Sequence, residues 1–434
     1  MTIVRALFAA ALLLVQPALA QLTIEITQGA DDPTAIAIVP FEWRGRGRLD
    51  EDIPAIVSAD LQRVGQFEPV AQKDMLSLPT RYSEVVFRDW RAIGAEYVVV
   101  GRIQQASPDA PFVLEYEVAD VFRQQQVMSR KLSGSRTQLR DLAHKLSDEI
   151  YEKLTGIKGA FSTRILYVAA NQLGAGRFKY QLVMADADGA RAKTLLDSAE
   201  PILSPSWAPG GGEIAYVSFE NGGRPAIYRH QLRSGLRERM VAYPGINGAP
   251  AWSPDGNQLA MVLSKGGNPD IYVMDMGTRR LKAIAPHYAI DTEPSWMPDG
   301  KSLLFTSDRG GAPQIYRAEL ASGKVERLTF EGDYNARATF LPERNAIIMV
   351  HRRGGERAFH VAIQSLDTGQ VRILSQSTLD ESPSVAPNGA MLMYATKHNG
   401  RGILAVVSVD GSVRFRLPSS ASDVREPAWS PYLH

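Results

Sequence analysis

The sequence predicts a two-domain α+β chain: a small N-terminal α/β domain, then a six-bladed β-propeller closed by the C-terminal strand. Three observations predict it. A segment built on an aromatic or apolar anchor recurs at Trp207, Trp252, Trp296, Phe340, Val385 and Trp429, in steps of 45, 44, 44, 45 and 44 residues. The array opens with a strand that lacks its anchor and ends with an anchor that lacks its strand. Residues 21–155 show no such period and mix helical with strand patterning. A chain of 434 residues exceeds one ordinary domain and has room for a sizeable core without disulfide or metal staples.

The first twenty residues read as a signal peptide. Arg5 is their only charge, an apolar run covers Ala6 to Val15, and Pro17-Ala-Leu-Ala offers small residues for cleavage after Ala20. The run is short for a membrane span. Within residues 21–155, Leu22-Thr-Ile-Glu-Ile alternates as a strand does, and Ala35-Ile-Ala-Ile-Val is a second strand. Ile53, Ile56, Val57, Leu61 and Val64 recur at helical spacing, with Pro54 in the first turn where proline is tolerated. Tyr97-Val-Val-Val, Phe112-Val-Leu-Glu-Tyr and Gln126-Val-Met-Ser read as strands. Leu139, Leu142, Ala143, Leu146, Ile150 and Leu154 form a helical stripe that ends near Gly156. Gly156-Ile-Lys-Gly-Ala begins the linker to the second domain, 156–434.

The repeat itself is explicit in Ser204-Pro-Ser-Trp-Ala-Pro, Ala249-Pro-Ala-Trp-Ser-Pro-Asp-Gly and Glu293-Pro-Ser-Trp-Met-Pro-Asp-Gly. It degenerates at Ala336-Arg-Ala-Thr-Phe-Leu-Pro and Glu381-Ser-Pro-Ser-Val-Ala-Pro-Asn-Gly, and returns in Glu426-Pro-Ala-Trp-Ser-Pro. After each anchor come a Pro-Asp-Gly-like turn and short strands such as Gln258-Leu-Ala-Met-Val-Leu, Asp270-Ile-Tyr-Val-Met-Asp and Gly323-Lys-Val-Glu-Arg-Leu-Thr. Short strands split by Gly, Asn and Pro turns at this period make propeller blades. Arg164-Ile-Leu-Tyr-Val-Ala-Ala and the Trp429 segment complete one blade between them, which leaves no open sheet edge at the seam.

Composition and motifs narrow the chemistry. Lys plus Arg number 48 against 47 Asp plus Glu, a balance that argues against nucleic-acid binding. The lack of cysteine removes thiol nucleophiles, Cys-ligated metals and a lipidated N-terminus. No Gly-x-Ser-x-Gly elbow occurs, and the seven histidines show no paired metal spacing. Asp186-Ala-Asp-Gly resembles half a calcium loop without its downstream acid and reads better as a hairpin turn. Arg44-Gly-Arg-Gly-Arg reads as a loop, and Gly174-Ala-Gly has no following helix to hold a phosphate. The expectation is therefore a protein without enzymatic activity, metal or cofactor, monomeric before complex formation.

In a propeller the loops leading into the anchors share one mouth: Asn247-Gly-Ala-Pro, Asp291-Thr-Glu-Pro, Asp333-Tyr-Asn-Ala-Arg, Leu379-Asp-Glu-Ser and Asp423-Val-Arg-Glu. Such a face on a rigid scaffold suits protein recognition, and it equally suits ordinary solvated turns. A channel that takes a small ligand or glycan is the alternative.

Several stretches resemble one family closely: Ala37-Ile-Val-Pro-Phe-Glu-Trp, Glu152-Lys-Leu-Thr-Gly-Ile-Lys-Gly-Ala-Phe, Asn247-Gly-Ala-Pro-Ala, Tyr272-Val-Met-Asp, Leu379-Asp-Glu-Ser-Pro-Ser and Pro427-Ala-Trp-Ser-Pro-Tyr-Leu. They run through both domains, and the chain is similar in them to the TolB family, periplasmic propeller proteins of the Tol–Pal envelope system. The resemblance implies a periplasmic adaptor that serves outer-membrane integrity and envelope constriction at cell division. It implies binding of the peptidoglycan-associated lipoprotein Pal through Asn247, Gly248, Ala249, Asp291, Thr292 and Glu293, with bacteriocins as candidates for the same face. The family pattern has Arg-His before Asn-Gly-Ala-Pro where this chain has Gly245-Ile246, so one histidine contact is missing. The resemblance also implies that TolA binds the N-terminal segment Gln21, Leu22, Thr23, Ile24, Glu25, Ile26 and Thr27. Such a peptide adds to a partner's sheet edge or folds back on its own body, and a segment with both states is a switch.

Overall fold

The computed structural model describes residues 22, 24–28, 31–174, 176–417, 419 and 422–433. The signal-peptide reading, its cleavage after Ala20, and Gln21 and Thr23 lie outside the described residues. Among the described residues no helix is long and apolar enough to cross a membrane.

The N-terminal domain is built on a six-stranded mixed sheet. Its central strand Tyr97–Gln104 pairs in parallel with Thr34–Ile38 and Glu42–Arg44 and antiparallel with Phe112–Asp120. Two helices cover one face: α1 (Ile53–Arg63) and a 17-residue helix that follows a shorter one, Phe87–Ala92 (α2), on the other face. The long helix, α3 (Leu139–Thr155), is the stripe read from the sequence. Ile53, Val57 and Leu61 of α1 and Leu139, Leu146 and Ile150 of α3 bury against Val99, Leu114 and Tyr116 of the sheet. The opposite face packs Trp90 of α2 against Val98, Val100 and Val121. Asp52 caps α1 by accepting from the Ala55 N–H at 3.1 Å. At the other end of the domain, Gly156 stops α3 at φ +76, a left-handed conformation that glycine adopts without a Cβ penalty.

The linker is tied down rather than loose. Asp148 of α3 accepts from the backbone N–H groups of Phe161 at 2.6 Å and Ser162 at 3.2 Å, and the Phe161 ring meets Tyr151 edge-on at 5.7 Å. Lys158 sits 3.7 Å above the Tyr432 ring, which joins the linker to the C-terminus.

Six antiparallel sheets follow, and we number the blades in chain order. Blade one joins Arg164–Gly174, Arg177–Asp186 and Lys193–Ser198 to the C-terminal strand Asp423–Trp429, which pairs with the first of them from Ile165 to Ala170. The expected closure is present. In every blade the anchor strand is innermost: Ile202–Trp207, Asn247–Trp252, Asp291–Trp296, Tyr334–Leu341, Glu381–Val385 and Asp423–Trp429. The anchors also fasten blade to blade. The Trp207 indole N–H donates to the Ala428 carbonyl at 3.0 Å, and Trp296 donates to Ala251 at 2.9 Å, each reaching the innermost strand of the blade before it.

Blade six has a fifth strand. The N-terminal segment, as Glu25–Gln28, pairs antiparallel with Arg414–Leu417 at the outer edge of that blade. The sequence places the strand over Leu22–Ile26; the observed ladder begins three residues later, because Leu22 instead bridges Ser419 and is buried in the core shared by blades one and six. Ile24 packs on the same core, and Ile26 is exposed. The segment is in its folded-back state.

Candidate functional site

The six inner strands surround a central cavity of about 440 Å³. Each strand carries the same irregularity three residues before its anchor. Ser204, Ala249, Glu293, Arg337, Ser382 and Glu426 have φ between 45° and 54°, the left-handed region, although none is glycine. At each of these points the pairing with the second strand slips. Left-handed backbone costs a non-glycine residue of order 1–3 kcal/mol, so six copies are a strained collar that the closed ring holds in place. The bulge turns these six side chains to the cavity they line.

Three of the six are charged and share one network. Arg337 Nε donates to Glu293 Oε1 at 2.6 Å, and its Nη1 reaches Glu426 Oε2 at 3.3 Å and the Ser382 hydroxyl. Glu293 Oε2 also accepts from the Arg337 N–H at 3.1 Å and from the Thr306 hydroxyl at 3.0 Å. Burial works against the guanidinium's charge, but Glu426 and Glu293 outweigh it and hold Arg337 above its ordinary pKa. Two carboxylates around one guanidinium leave the collar with one net negative charge.

The residues expected to face a partner divide into three kinds. Ala249 and Glu293 line the cavity, and Gly248 and Thr292 are half-buried beside it. Asn247 is 1% exposed and works inward: its Oδ1 accepts from the Tyr243 N–H at 2.9 Å while its Nδ2 donates to Tyr243 O at 2.7 Å and to Pro225 O and Gly245 O at 3.2 Å. Asp291 is fully buried and holds Arg309 at 2.7 Å. Burial pushes its carboxyl up, against the pull of Ser307 and Arg309. Both residues stand five before their anchors, as do buried Asn335 and Asp380, and they fix the shape of the loop rather than meet solvent.

Between those fixed points the loops push apolar side chains outward. Tyr288 is 86% exposed, Phe330 74% and Ile246 47%, with Tyr243 and Ile290 also exposed. They belong to the lead-in loops of blades three, four and five, so they form a crescent on one side of the channel mouth. Lys265 over the Tyr243 ring at 4.7 Å and Arg327 over Phe330 at 4.9 Å border it with positive charge. Sequence reasoning placed Arg337 and Glu426 in loops at this mouth and noted Ile246, but it recognised neither the crescent nor the collar; the signal for the collar was its constant offset from each anchor.

A rigid ring with a strained inner collar and an apolar crescent at one mouth defines a six-bladed propeller scaffold. Comparison with known proteins narrows the class. Residues 22–127 match the TolB amino-terminal domain and residues 151–433 the TolB beta propeller domain. The Tol-Pal system protein TolB of Alcanivorax borkumensis is 60% identical over 414 residues, covering 95% of this chain and 94% of that one. The protein of the same name from Pseudomonas syringae pv. syringae is 58% identical over 411 residues, with 95% and 94% covered. The crystal structure of TolB from Acinetobacter baumannii superposes with a TM-score of 0.87 at 45% identity, over 95% of this chain and all of that one. The chain belongs to the TolB family.

Proposed function

We propose that this chain is a non-catalytic periplasmic adaptor of the Tol–Pal system, which binds Pal at the propeller mouth and TolA through its N-terminal segment. In this role it supports outer-membrane integrity and envelope constriction at division. The apolar crescent on the lead-in face carries the reading: large exposed aromatics grouped on a rigid mouth are the material of protein hot spots. The family membership and the relatives' name agree with it. Glu293 and Glu426 are both engaged by Arg337, so neither is poised as a free acid or base. The domain limits 21–155 and 156–434, with an exported N-terminus removed after Ala20, belong to the same proposal.

Asn247, Gly248, Ala249, Asp291, Thr292 and Glu293 then contribute in two ways. Gly248, Ala249, Thr292 and Glu293 meet Pal, and Asn247 and Asp291 hold the loops that present the crescent. The test is calorimetric titration of the chain from Gln21 with the soluble domain of its own Pal. Tyr288→Ala combined with Phe330→Ala is expected to weaken binding by about 2 kcal/mol or more with an unchanged melting temperature. Unaltered affinity in that variant sinks the Pal assignment to this mouth. Deleting residues 21–27 is expected to abolish TolA binding, and undiminished TolA binding removes the second assignment.

A further inference from the structure

A buried cluster of charges lies where α3 meets blade one, remote from the channel. His144 of α3 is 2% exposed. Its Nδ1 is 2.7 Å from Asp60 Oδ2 on α1, and its Nε2 is 3.9 Å from the Oδ2 atoms of both Asp186 and Asp188. Those two aspartates belong to the turn that joins the second and third strands of blade one. Nε2 has no hydrogen-bond partner. The other charges facing the cluster come from every element around it. Arg63 of α1 holds Asp60 at 3.0 Å; Arg140 of α3 holds Asp188, and approaches Asp186 at 3.4 Å and Glu51 at 3.5 Å. Arg191 of the turn holds Asp186 at 2.7 Å and also Asp141 of α3.

With His144 neutral, the five carboxylates Glu51, Asp60, Asp141, Asp186 and Asp188 exceed the three guanidinium groups by two charges. The site wants one more cation. A metal ion is one candidate, since Asp60, His144 and Asp188 offer ligand atoms within 4.8 Å of one another. It would have to compete with Arg140 for Asp188 and with Arg63 for Asp60, carboxylates those guanidinium groups already hold. A proton displaces nothing and makes Nε2 a donor aimed at two carboxylates. Burial alone would lower the imidazole, yet Asp60 and Asp188 outweigh it and hold His144 above its ordinary pKa.

The same turn seats the N-terminal segment. It is internally rigid, with Gly189 N–H to Asp186 O at 2.8 Å and Ala190 N–H to Asp188 Oδ1 at 2.9 Å. Gly189 has φ +85, and a Cβ there would lie 2.8 Å from Leu22 Cβ and 3.2 Å from Leu22 O. One short turn therefore touches α3 on one side and Leu22 on the other.

We propose that His144, as an imidazolium, is a pH-sensitive latch that holds the Asp186–Arg191 turn against α3 in the form that seats Leu22, and so keeps the N-terminal segment docked on blade six. The inference rests on the docked segment seen in the structure and on no partner. The sign follows from linkage: a histidine raised in the latched state contributes fully below its ordinary pKa of about 6.5, and the contribution is lost as pH rises through the raised value. Docking is therefore firm in acid and loosens in alkali.

Hydrogen exchange of the purified chain, corrected for intrinsic rates, tests this between about pH 6 and pH 9. The expected result is a several-fold loss of protection at Glu25–Gln28 across that range, with the inner propeller strands unchanged. His144→Gln keeps a hydrogen bond to Asp60 but takes no charge, and it is expected to show weak, pH-independent protection. Asp188→Asn removes a carboxylate facing Nε2 and is expected to move the midpoint to lower pH. An identical pH profile in the wild type and His144→Gln overturns the latch. If His144→Gln fails to fold, an NMR titration of His144 in the wild type decides: titration without a coincident change at Leu22 overturns it, and a coincident change supports it. A tenfold gain in segment protection on adding zinc ion at alkaline pH would assign the cluster to a metal instead, and overturns it too.

Discussion

Replacing Arg337 by methionine removes the guanidinium that Glu293 and Glu426 share, while keeping most of the side chain's volume. Breaking a fully buried pair by deleting one partner costs about 3–5 kcal/mol. Here the Arg337 side chain is 31% exposed, Glu293 23% and Glu426 13%, so solvent recovers part of that cost. A discount for screening brings the expected loss to about 2–3 kcal/mol. The backbone N–H of Arg337 still donates to Glu293, so one contact survives. In differential scanning calorimetry the melting temperature should fall by about 4–9 °C, at roughly 2–3 °C per kcal/mol for a domain of this size. The double-mutant logic supplies the control: adding Glu293→Gln and Glu426→Gln to Arg337→Met removes the unpaired charges and should restore more than half of the loss. A shift within 1 °C of the wild type, or a triple variant less stable than the single one, would refute the reasoning that the collar is held by this ion network.

Three further outcomes follow from other contacts. Ala249→Gly relaxes a residue held at φ 45° and should raise stability by up to about 1 kcal/mol in denaturant unfolding, the gain being trimmed by glycine's chain entropy. Asn247→Ala strands the Tyr243 N–H and three carbonyls inside the loop; we expect a loss of about 2–4 kcal/mol in chemical unfolding, and weaker Pal binding although Asn247 meets no solvent. His230 and His351 are pushed below the ordinary histidine pKa, chiefly by burial, so the fold prefers them neutral; melting temperature should fall as pH drops below about 6.5, and His230→Gln should blunt that fall.

Much of the propeller was legible because the repeat records a physical contact. Each tryptophan anchor fills the gap between blades, and the indoles of Trp207 and Trp296 bond the preceding blade, so the residue and its spacing both show in the sequence. Closure was legible from the two incomplete ends. The collar was present in the same alignment but hidden, because Ser204, Ala249, Glu293, Arg337, Ser382 and Glu426 share a backbone conformation and no side-chain chemistry. In the N-terminal domain the long elements α1 and α3 announced themselves by period, whereas Glu42–Arg44, Phe67–Pro69 and α2 are too short to show one. The cluster at His144 was out of reach for a different reason. His144 and Asp60 are 84 residues apart, and the Asp186 turn, read correctly as a hairpin turn, gave no sign of what would lie against it.

The closing strand also sets the order in which this chain becomes native. Trp429 meets Thr163 across 266 residues, and Thr27 meets Arg414 across 387. Contacts of such sequence separation form late, since the intervening chain must first be organised. Blade one therefore waits for the strand Asp423–Trp429. Glu25–Gln28, in turn, has no edge to dock on until blade six exists. A folding chain passes through a stage with Glu25–Gln28 necessarily free, and the docked state is the final signature of a finished ring.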